Sequence, residues 1–216
     1  MLIPRQNQIA FAFMVASCSL ICSAAVAQHA PMVRITAEPM CCVGCGQKIA
    51  GQFYTIPGVK SVRLEYASKT LTVVYQQGRT PSPKLLCDAV LKTEDHPVKI
   101  SGAFGSISLE YPKPTDEQQV RPSYTAIVLQ NLRSEEVARR IAVQIYALKL
   151  VKSINLDLQR RTLFVMPHDG KEVSVWLLWE AVERAGDHAL VIQGPSCVLK
   201  NDTLLSARKT HPQVVR

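Results

Sequence analysis

The segment VKSVRLEYASKTLTVVY at residues 59–75 decides the fold, because a close copy of it, VKSINLDLQRRTLFVMP, stands at residues 151–167. Seven positions of the first segment recur in the second at an offset of 92 residues. The same offset relates His96 to His188, well downstream of the segment. A register that holds over about 70 residues indicates an internal duplication.

Both copies show the same order of predicted elements, which is clearest in the first. Residues 32–37 alternate apolar and polar side chains, as a half-buried strand does, and residues 43–56 have apolar side chains near helical spacing. Residues 59–75 read as two β-rich strands joined by a short turn. A helix that begins with Ser-Pro follows over 82–93, and HPVKIS at 96–101 is a closing strand. The predicted order is βαββαβ.

This order is the ferredoxin-like plan, an α+β fold whose antiparallel sheet carries two helices on one face. We therefore predict two tandem ferredoxin-like domains, at residues 32–102 and 124–194. Residues 103–123 are proline-rich and are predicted to be a linker, in which SISLEY could add a short strand. Residues 195–216 are polar and basic and are predicted to be a disordered tail.

The first 27 residues are predicted to be a secretory signal peptide. An apolar run covers residues 9–26, Arg5 precedes it, and Ala-Val-Ala at 25–27 fits the small-x-small cleavage rule. Two alternatives stay open: an uncleaved membrane anchor, or cleavage before Cys18 in the lipobox-like VASC, which would leave a lipid-anchored protein. We expect an exported protein, periplasmic or extracellular, that contacts a membrane only if the signal is uncleaved or lipidated.

Composition narrows the class of protein. The formal net charge is +8 with scattered Lys and Arg, which indicates a solvated basic surface or an acidic partner. Beyond residue 27 the cysteines are too few and too clustered for a disulfide framework, so an apolar core must carry stability. We find no phosphate loop, paired carboxylates or Ser/His/Asp order, and predict no enzyme. We also find no aromatic RNP-like strand, and predict no nucleic-acid partner.

A cysteine motif stands at the predicted join between the first strand and the first helix. The stretch EPMCCVGCGQKI at 38–49 holds three of the seven cysteines. Cys42 and Cys45 have C-x-x-C spacing, and Met40 precedes them. The C-x-x-C spacing alone is a weak signal. The same spacing with this methionine in a βαββαβ context is a specific one.

In this context, residues 32–102 resemble the heavy-metal-associated domain, a family that includes copper chaperones, N-terminal modules of copper-transporting P-type ATPases and periplasmic mercury-binding proteins. Residues 56–75 also resemble the family's segment l-x-G-V-x-x-v-x-v-d and the strand after it. Two positions depart from the family: Pro39 stands where Gly usually precedes the methionine, and Glu-Asp-His at 94–96 stands where Tyr, Phe or Lys is common. The second copy resembles the family more weakly.

The resemblance implies a metal site at Cys42 and Cys45. Two thiolates suit the soft d¹⁰ ion Cu(I), and the start of a helix favours thiolate by lowering a thiol pKa. The resemblance also implies that Met40 points into the core, where a methionine fills gaps, and is not a ligand. Lys48, one turn on, either offsets the charge of a dithiolate–Cu(I) centre or is simply exposed to solvent.

Two further residues are candidate ligands. Cys41 adjoins Cys42, but neighbours on an extended segment point opposite ways, which argues against a third sulfur ligand. His96 lies in the loop before the last strand, which in the family lies beside the metal loop. Its imidazole would favour Zn(II) or three-coordinate Cu(I). However, His188 recurs in the second copy, which has no cysteine motif, and this favours a structural role for the Asp-His pair.

The second copy has lost the motif. Leu132, Ser134 and Val137 stand at the positions of the methionine and the two motif cysteines. Ser134 followed by two glutamates predicts an ordinary N-cap with acidic residues in the first turn. We therefore expect a degenerate domain that folds without soft metal, as a scaffold or docking surface. Its second helix carries Trp176 and Trp179, which pack either on their own sheet or on the first copy or a partner.

The sequence thus predicts an exported protein that binds one soft metal ion, with Cu(I) preferred and Hg(II) or Zn(II) as alternatives. It would sequester the ion or exchange it with a donor or acceptor protein that has a C-x-x-C site, or with a metal transporter. Two other functions stay open. One is thiol–disulfide exchange through Cys42 and Cys45. The other is an interaction module that binds no metal.

Overall fold

The computed structural model describes residues 31–79, 82–112 and 123–210. The predicted signal peptide and most of the proline-rich part of the linker lie outside the described residues. Within the described ranges, no helix combines the length and the apolar character needed to cross a membrane.

Each copy forms the predicted βαββαβ unit and adds one more strand. The first copy consists of β1 (Met32–Glu38), α1 (Val43–Tyr54), β2 (Val59–Glu65), β3 (Thr70–Tyr75), α2 (Pro83–Leu91), β4 (His96–Gly102) and β5 (Gly105–Glu110). The second consists of β6 (Thr125–Leu129), α3 (Glu135–Tyr146), β7 (Val151–Asp157), β8 (Thr162–Pro167), α4 (Val175–Arg184), β9 (Ala189–Gln193), β10 (Val198–Asn201) and α5 (Asp202–Thr210). The ferredoxin-like prediction is confirmed, and α1 and α3 begin 92 residues apart, at the offset of the sequence repeat.

The two copies share one antiparallel sheet of ten strands in the order β2-β3-β1-β4-β5-β10-β9-β6-β8-β7. The middle ladder joins β5 to β10, with Ser108 opposite Lys200 and Leu109 opposite Leu199. Ser108 and Lys200 are also equivalent by the repeat, so the copies pair as the subunits of a symmetric dimer would. This pairing covers an edge strand of each copy that would otherwise be exposed.

The predicted linker and tail differ from the structure. The first residues of the linker form β5, the short strand that SISLEY allowed. The prediction of disorder is wrong for Val198–Asn201 and Asp202–Thr210, which form β10 and α5. The physical reason is mutual burial, because Ile107 and Leu109 of β5 and Leu199 of β10 are almost fully buried. A strand of four residues carries too little pattern to be recognised without the partner that pairs with it.

Candidate metal centre

The loop between β1 and α1 is anchored from below by a buried methionine. Met40 is 1% exposed, in the place that the family resemblance implies. On α1, Ile49 and Phe53 are fully buried and fix the helix on the sheet. The helix also lies very close to β2: a Cβ at Gly46 would stand 2.5 Å from a methyl carbon of Leu64. The start of α1 therefore has a fixed position.

The sulfur of Cys42 caps this helix. Cys42 has an extended backbone, with φ −154° and ψ 166°, and its Sγ accepts a hydrogen bond from the Cys45 backbone N–H at 3.4 Å. The equivalent Ser134 has φ −148° and ψ 159°, and its Oγ accepts from the Val137 N–H, also at 3.4 Å. The predicted N-cap in the second copy is thus present, and in the first copy a thiol stands in the same role.

Three sulfurs meet at this helix start. The Sγ atoms of Cys42 and Cys45 are 3.2 Å apart, and those of Cys41 and Cys45 are 3.3 Å apart. All three lie within 4.8 Å of one another. Cys41 and Cys42 are exposed, while Cys45 is half-buried. The arrangement is an open cluster of soft donors, of the type that binds Cu(I) or other thiophilic ions.

The position of Cys41 differs from the sequence expectation. The alternation of side chains along an extended segment predicts that Cys41 points away from Cys42. The strand β1 ends at Glu38, however, so that alternation does not reach the loop. The chain turns before α1 and brings all three sulfurs to one side.

Hydrogen bonds divide the charge unequally among the sulfurs. Hydrogen bonds that Cys45 accepts from the thiols of Cys42 and Cys41 lower the pKa of Cys45, and a backbone hydrogen bond from Cys41 adds to this. The interactions of Cys41 with Cys45 and then with Cys42 raise the pKa of Cys41. These hydrogen bonds therefore favour thiolate at Cys45, in the first turn of the helix, over thiolate at Cys41.

Tyr66 also contacts the cysteine loop, and the sequence patterns did not predict this contact. The hydroxyl of Tyr66 donates a hydrogen bond of 2.7 Å to the backbone carbonyl of Cys41. Tyr66 lies in the turn between β2 and β3, 25 residues from its acceptor. An exposed tyrosine in a hairpin turn was the signal available, but the contact depends on how the hairpin packs beside the loop.

The other two candidate residues are His96, which lies apart from the sulfurs, and Lys48, which is exposed. His96 stands opposite Glu38 in the β1–β4 ladder, and its ring lies 4.7 Å from the ring of Tyr111. It does not belong to the group of potential ligands that the described residues bring together, which consists of the three cysteines. Lys48 is exposed on α1. The structure therefore brings Cys41, and not His96, to the motif pair.

One comparison with known proteins identifies the class of the first copy. Residues 34–94 match the model of the heavy-metal-associated domain. The first copy is thus a heavy-metal-associated domain, a class of metal-binding module. The comparison with curated proteins found no match.

Several solved structures are similar to part or most of this chain. A structure described as "Crosstalk between Cu(I) and Zn(II) homeostasis" is 29% identical, covers 31% of this chain and 93% of its own, and has a TM-score of 0.28. The N-terminal domain of PacS from Synechocystis PCC6803 is 27% identical, covers 31% of this chain and 91% of its own, and has a TM-score of 0.27. The water-soluble region of the P-type ATPase CopA from Bacillus subtilis is 18% identical, covers 86% of this chain and 95% of its own, and has a TM-score of 0.31.

Proposed function

We propose that the protein binds one Cu(I) ion through Cys42 and Cys45 and either sequesters it or passes it to another protein by thiolate exchange. The observation that carries the proposal is the pair of sulfurs 3.2 Å apart at the exposed start of α1, inside a heavy-metal-associated domain. Hg(II) has the same preference for two thiolates, and Zn(II) would require additional ligands.

The geometry of the pair suits a single ion. Thiolate–metal bonds are about 2.3 Å long for zinc, so two sulfurs on one ion of this size are at most about 4.6 Å apart. The sulfurs of Cys42 and Cys45 at 3.2 Å need only small side-chain rotations to reach a separation in this range. Because Cys42 is the N-cap, its sulfur already faces the positive end of the helix, which stabilises a dithiolate.

Transfer follows from the exposure of the site. A thiolate of the partner approaches the open side of the ion and forms a third bond, and then one thiolate of this protein leaves. The half-buried Cys45 is the sulfur we expect to leave last, because the exposed Cys42 is the easier one to displace. A partner with its own C-x-x-C site, or a metal transporter, has the required chemistry. The predicted signal peptide at 1–27 supports a place of action outside the cytoplasm.

A redox function is the second candidate, and the short distance between the sulfurs is the observation that favours it. A thiolate at Cys45 could attack a mixed disulfide formed at Cys42, release the partner as a thiol and close a Cys42–Cys45 disulfide. The two functions differ in their readout. A redox protein would turn over disulfide substrates faster than free dithiol does, whereas a metal carrier would not.

The proposal is tested by anaerobic titration with Cu(I) in competition with a chromophoric Cu(I) chelator. The unchanged protein should take up one equivalent, and Cys42→Ser with Cys45→Ser should take up none while its circular dichroism spectrum stays the same. Ser134→Ala, which removes the equivalent cap in the second copy, is the matched control and should keep one equivalent. One-to-one binding by the double variant would overturn the assignment.

A further inference from the structure

The two-sulfur site of the proposed function leaves the sulfur of Cys41 without a role. This Sγ lies 3.3 Å from the Sγ of Cys45, almost as close as the Sγ of Cys42 at 3.2 Å. Among the described residues, these cysteines form the only group of three or more His, Cys, Asp or Glu side chains whose donor atoms could hold a metal ion together. The cluster therefore offers an ion three sulfurs.

The backbone around Cys41 is held in place while its sulfur stays accessible. The Tyr66 hydroxyl donates a hydrogen bond of 2.7 Å to the Cys41 carbonyl. Met40, the residue before it, is 1% exposed and anchors the loop in the core. The Cys41 side chain itself is exposed. These contacts keep a third thiol next to the motif pair and open to an incoming ion.

The separations of the sulfurs favour three ligands over a linear pair. With metal–sulfur bonds of about 2.3 Å, two sulfurs on opposite sides of an ion are about 4.6 Å apart, and three sulfurs in a plane around it are about 4.0 Å apart. The separations of 3.2 and 3.3 Å are closer to the second value. A trigonal arrangement therefore needs smaller movements of the side chains than a linear one does.

We propose that Cys41 is a third ligand and that the site holds its Cu(I) ion with three sulfurs, which rests on the proposed function because it completes the same site. A third thiolate adds a soft donor of the kind that selects Cu(I). It also gives the ion a full set of ligands from this chain, so that Tyr66 acts as a positioning residue for one of them.

The third sulfur sets the order of exchange with a partner. Cys42 caps α1 and Cys45 is half-buried in its first turn, whereas Cys41 precedes the helix and is exposed. The sulfur of the partner should therefore replace that of Cys41 first: a bond from the ion to the partner sulfur forms and the bond to Cys41 breaks. The proton of the partner thiol passes to the Cys41 thiolate, and nothing is oxidised. The number of sulfur ligands stays at three during this step.

X-ray absorption at the copper edge counts the sulfur ligands after loading with one equivalent of Cu(I). We expect three sulfurs in the unchanged protein and two in Cys41→Ser. In competition with a chromophoric chelator, Cys41→Ser should still take up one equivalent but bind it several-fold more weakly. Cys197→Ala, which removes a thiol of the second copy, is the matched control and should keep three sulfurs and the original affinity. Circular dichroism checks the fold of each variant.

The outcomes separate this inference from the proposed function. Two sulfurs in the unchanged protein would overturn the inference, whatever the variants do, and would leave the site of Cys42 and Cys45 in place. Three sulfurs in Cys41→Ser would overturn it as well, because the third ligand would then come from elsewhere. Absence of Cu(I) uptake by the unchanged protein would overturn the proposed function and the inference together.

Discussion

The starts of α1 and α3 are the same structure built with different chemistry. Both N-caps have an extended backbone, and both accept a hydrogen bond of 3.4 Å from the third residue of the helix. In α3 the cap is a serine, followed by Glu135 and Glu136 in the first turn, while α1 has cysteine and no acidic residue there. The second copy folds with a hydroxyl in this place, so the fold itself does not require sulfur. The sulfurs of the first copy are thus free for binding.

The charge of the first helical turn also differs between α1 and α3. Two glutamates at the start of α3 compensate the positive end of the helix. In α1 that positive end is left for a thiolate pair, and acidic side chains beside the pair would repel it. The two copies thus cap the same helix start in two ways, and only the cap of the first copy leaves the positive helix end to a pair of sulfurs.

The largest expected effect is the creation of a second site. Ser134→Cys with Val137→Cys places two sulfurs where the first copy has Cys42 and Cys45, and Cu(I) uptake should rise from one equivalent to two. The new site should be the weaker one, because Glu135 and Glu136 add negative charge next to it. Ser134→Ala with Val137→Ala is the control. A titration of the cysteine variant that still ends at one equivalent would show that the two loops differ in more than their ligands.

The next effect concerns the anchors beneath the two loops. Met40 and Leu132 are each 1% exposed, so replacing either with alanine should lower the free energy of unfolding by about 2–5 kcal/mol, measured by urea denaturation. Met40→Ala should also weaken Cu(I) binding because the cysteine loop loses its support, whereas Leu132→Ala should not. Equal Cu(I) affinity in both variants would mean that the buried methionine does not position the sulfurs.

The third effect is a pH dependence that only the first copy can show. The pKa of Cys45 is lowered and that of Cys41 is raised from the ordinary value of 9.0. Below that pH, Cys45 keeps more thiolate than Cys41 does, so its share of alkylation by iodoacetamide should rise as the pH falls. Peptide mass spectrometry measures this share. Faster labelling of Cys41 throughout the range would contradict the hydrogen-bond pattern.

A smaller effect on stability is expected when the side chain of either N-cap residue is removed. Ser134→Ala removes a hydroxyl acceptor and should cost about 1 kcal/mol of stability. Cys42→Ala should cost less because a thiol is a weaker acceptor. Ser134→Thr, which keeps a hydroxyl, serves as the control in thermal unfolding. A larger loss for the cysteine variant would mean that the thiol contributes to the fold more than the serine does.

A last effect, of similar size, is expected at Tyr66. Tyr66→Phe removes the hydrogen bond to the Cys41 carbonyl and should cost about 0.5–1.5 kcal/mol of stability, with a several-fold loss of Cu(I) affinity. Tyr54→Phe, at another exposed tyrosine whose hydroxyl accepts from the Val62 N–H, is the control for affinity. An unchanged affinity in Tyr66→Phe would remove this residue from the account of the site.

Much of this fold was predictable because a repeat doubles the evidence for each element. The offset of 92 residues, the βαββαβ order and the capping role of Ser134 rest on patterns of side chains along the chain, whereas the burial of Met40 was implied by the family resemblance. The ten-stranded sheet was not predictable in the same way. Its central ladder joins β5 to β10, which are short and separated by almost the whole second copy, so neither shows its partner in the sequence.

The candidate site, like the fold, could be predicted from the sequence only in part. The pair Cys42 and Cys45 follows from spacing at a helix start, which the sequence displays. The approach of Cys41 depends on where β1 ends, and the bond from Tyr66 depends on packing between a hairpin turn and a loop. Loop direction and long-range contacts are set by tertiary structure, and residue patterns along the chain do not contain them.

X-ray absorption at the copper edge of the protein loaded with one equivalent of Cu(I) tests the central claim most directly. We predict a first coordination shell made of sulfur alone, which disappears when Cys42 and Cys45 are both changed to serine. A shell that contains nitrogen or oxygen from the protein, or one that survives the double substitution, would contradict the claim that these two thiols hold the ion.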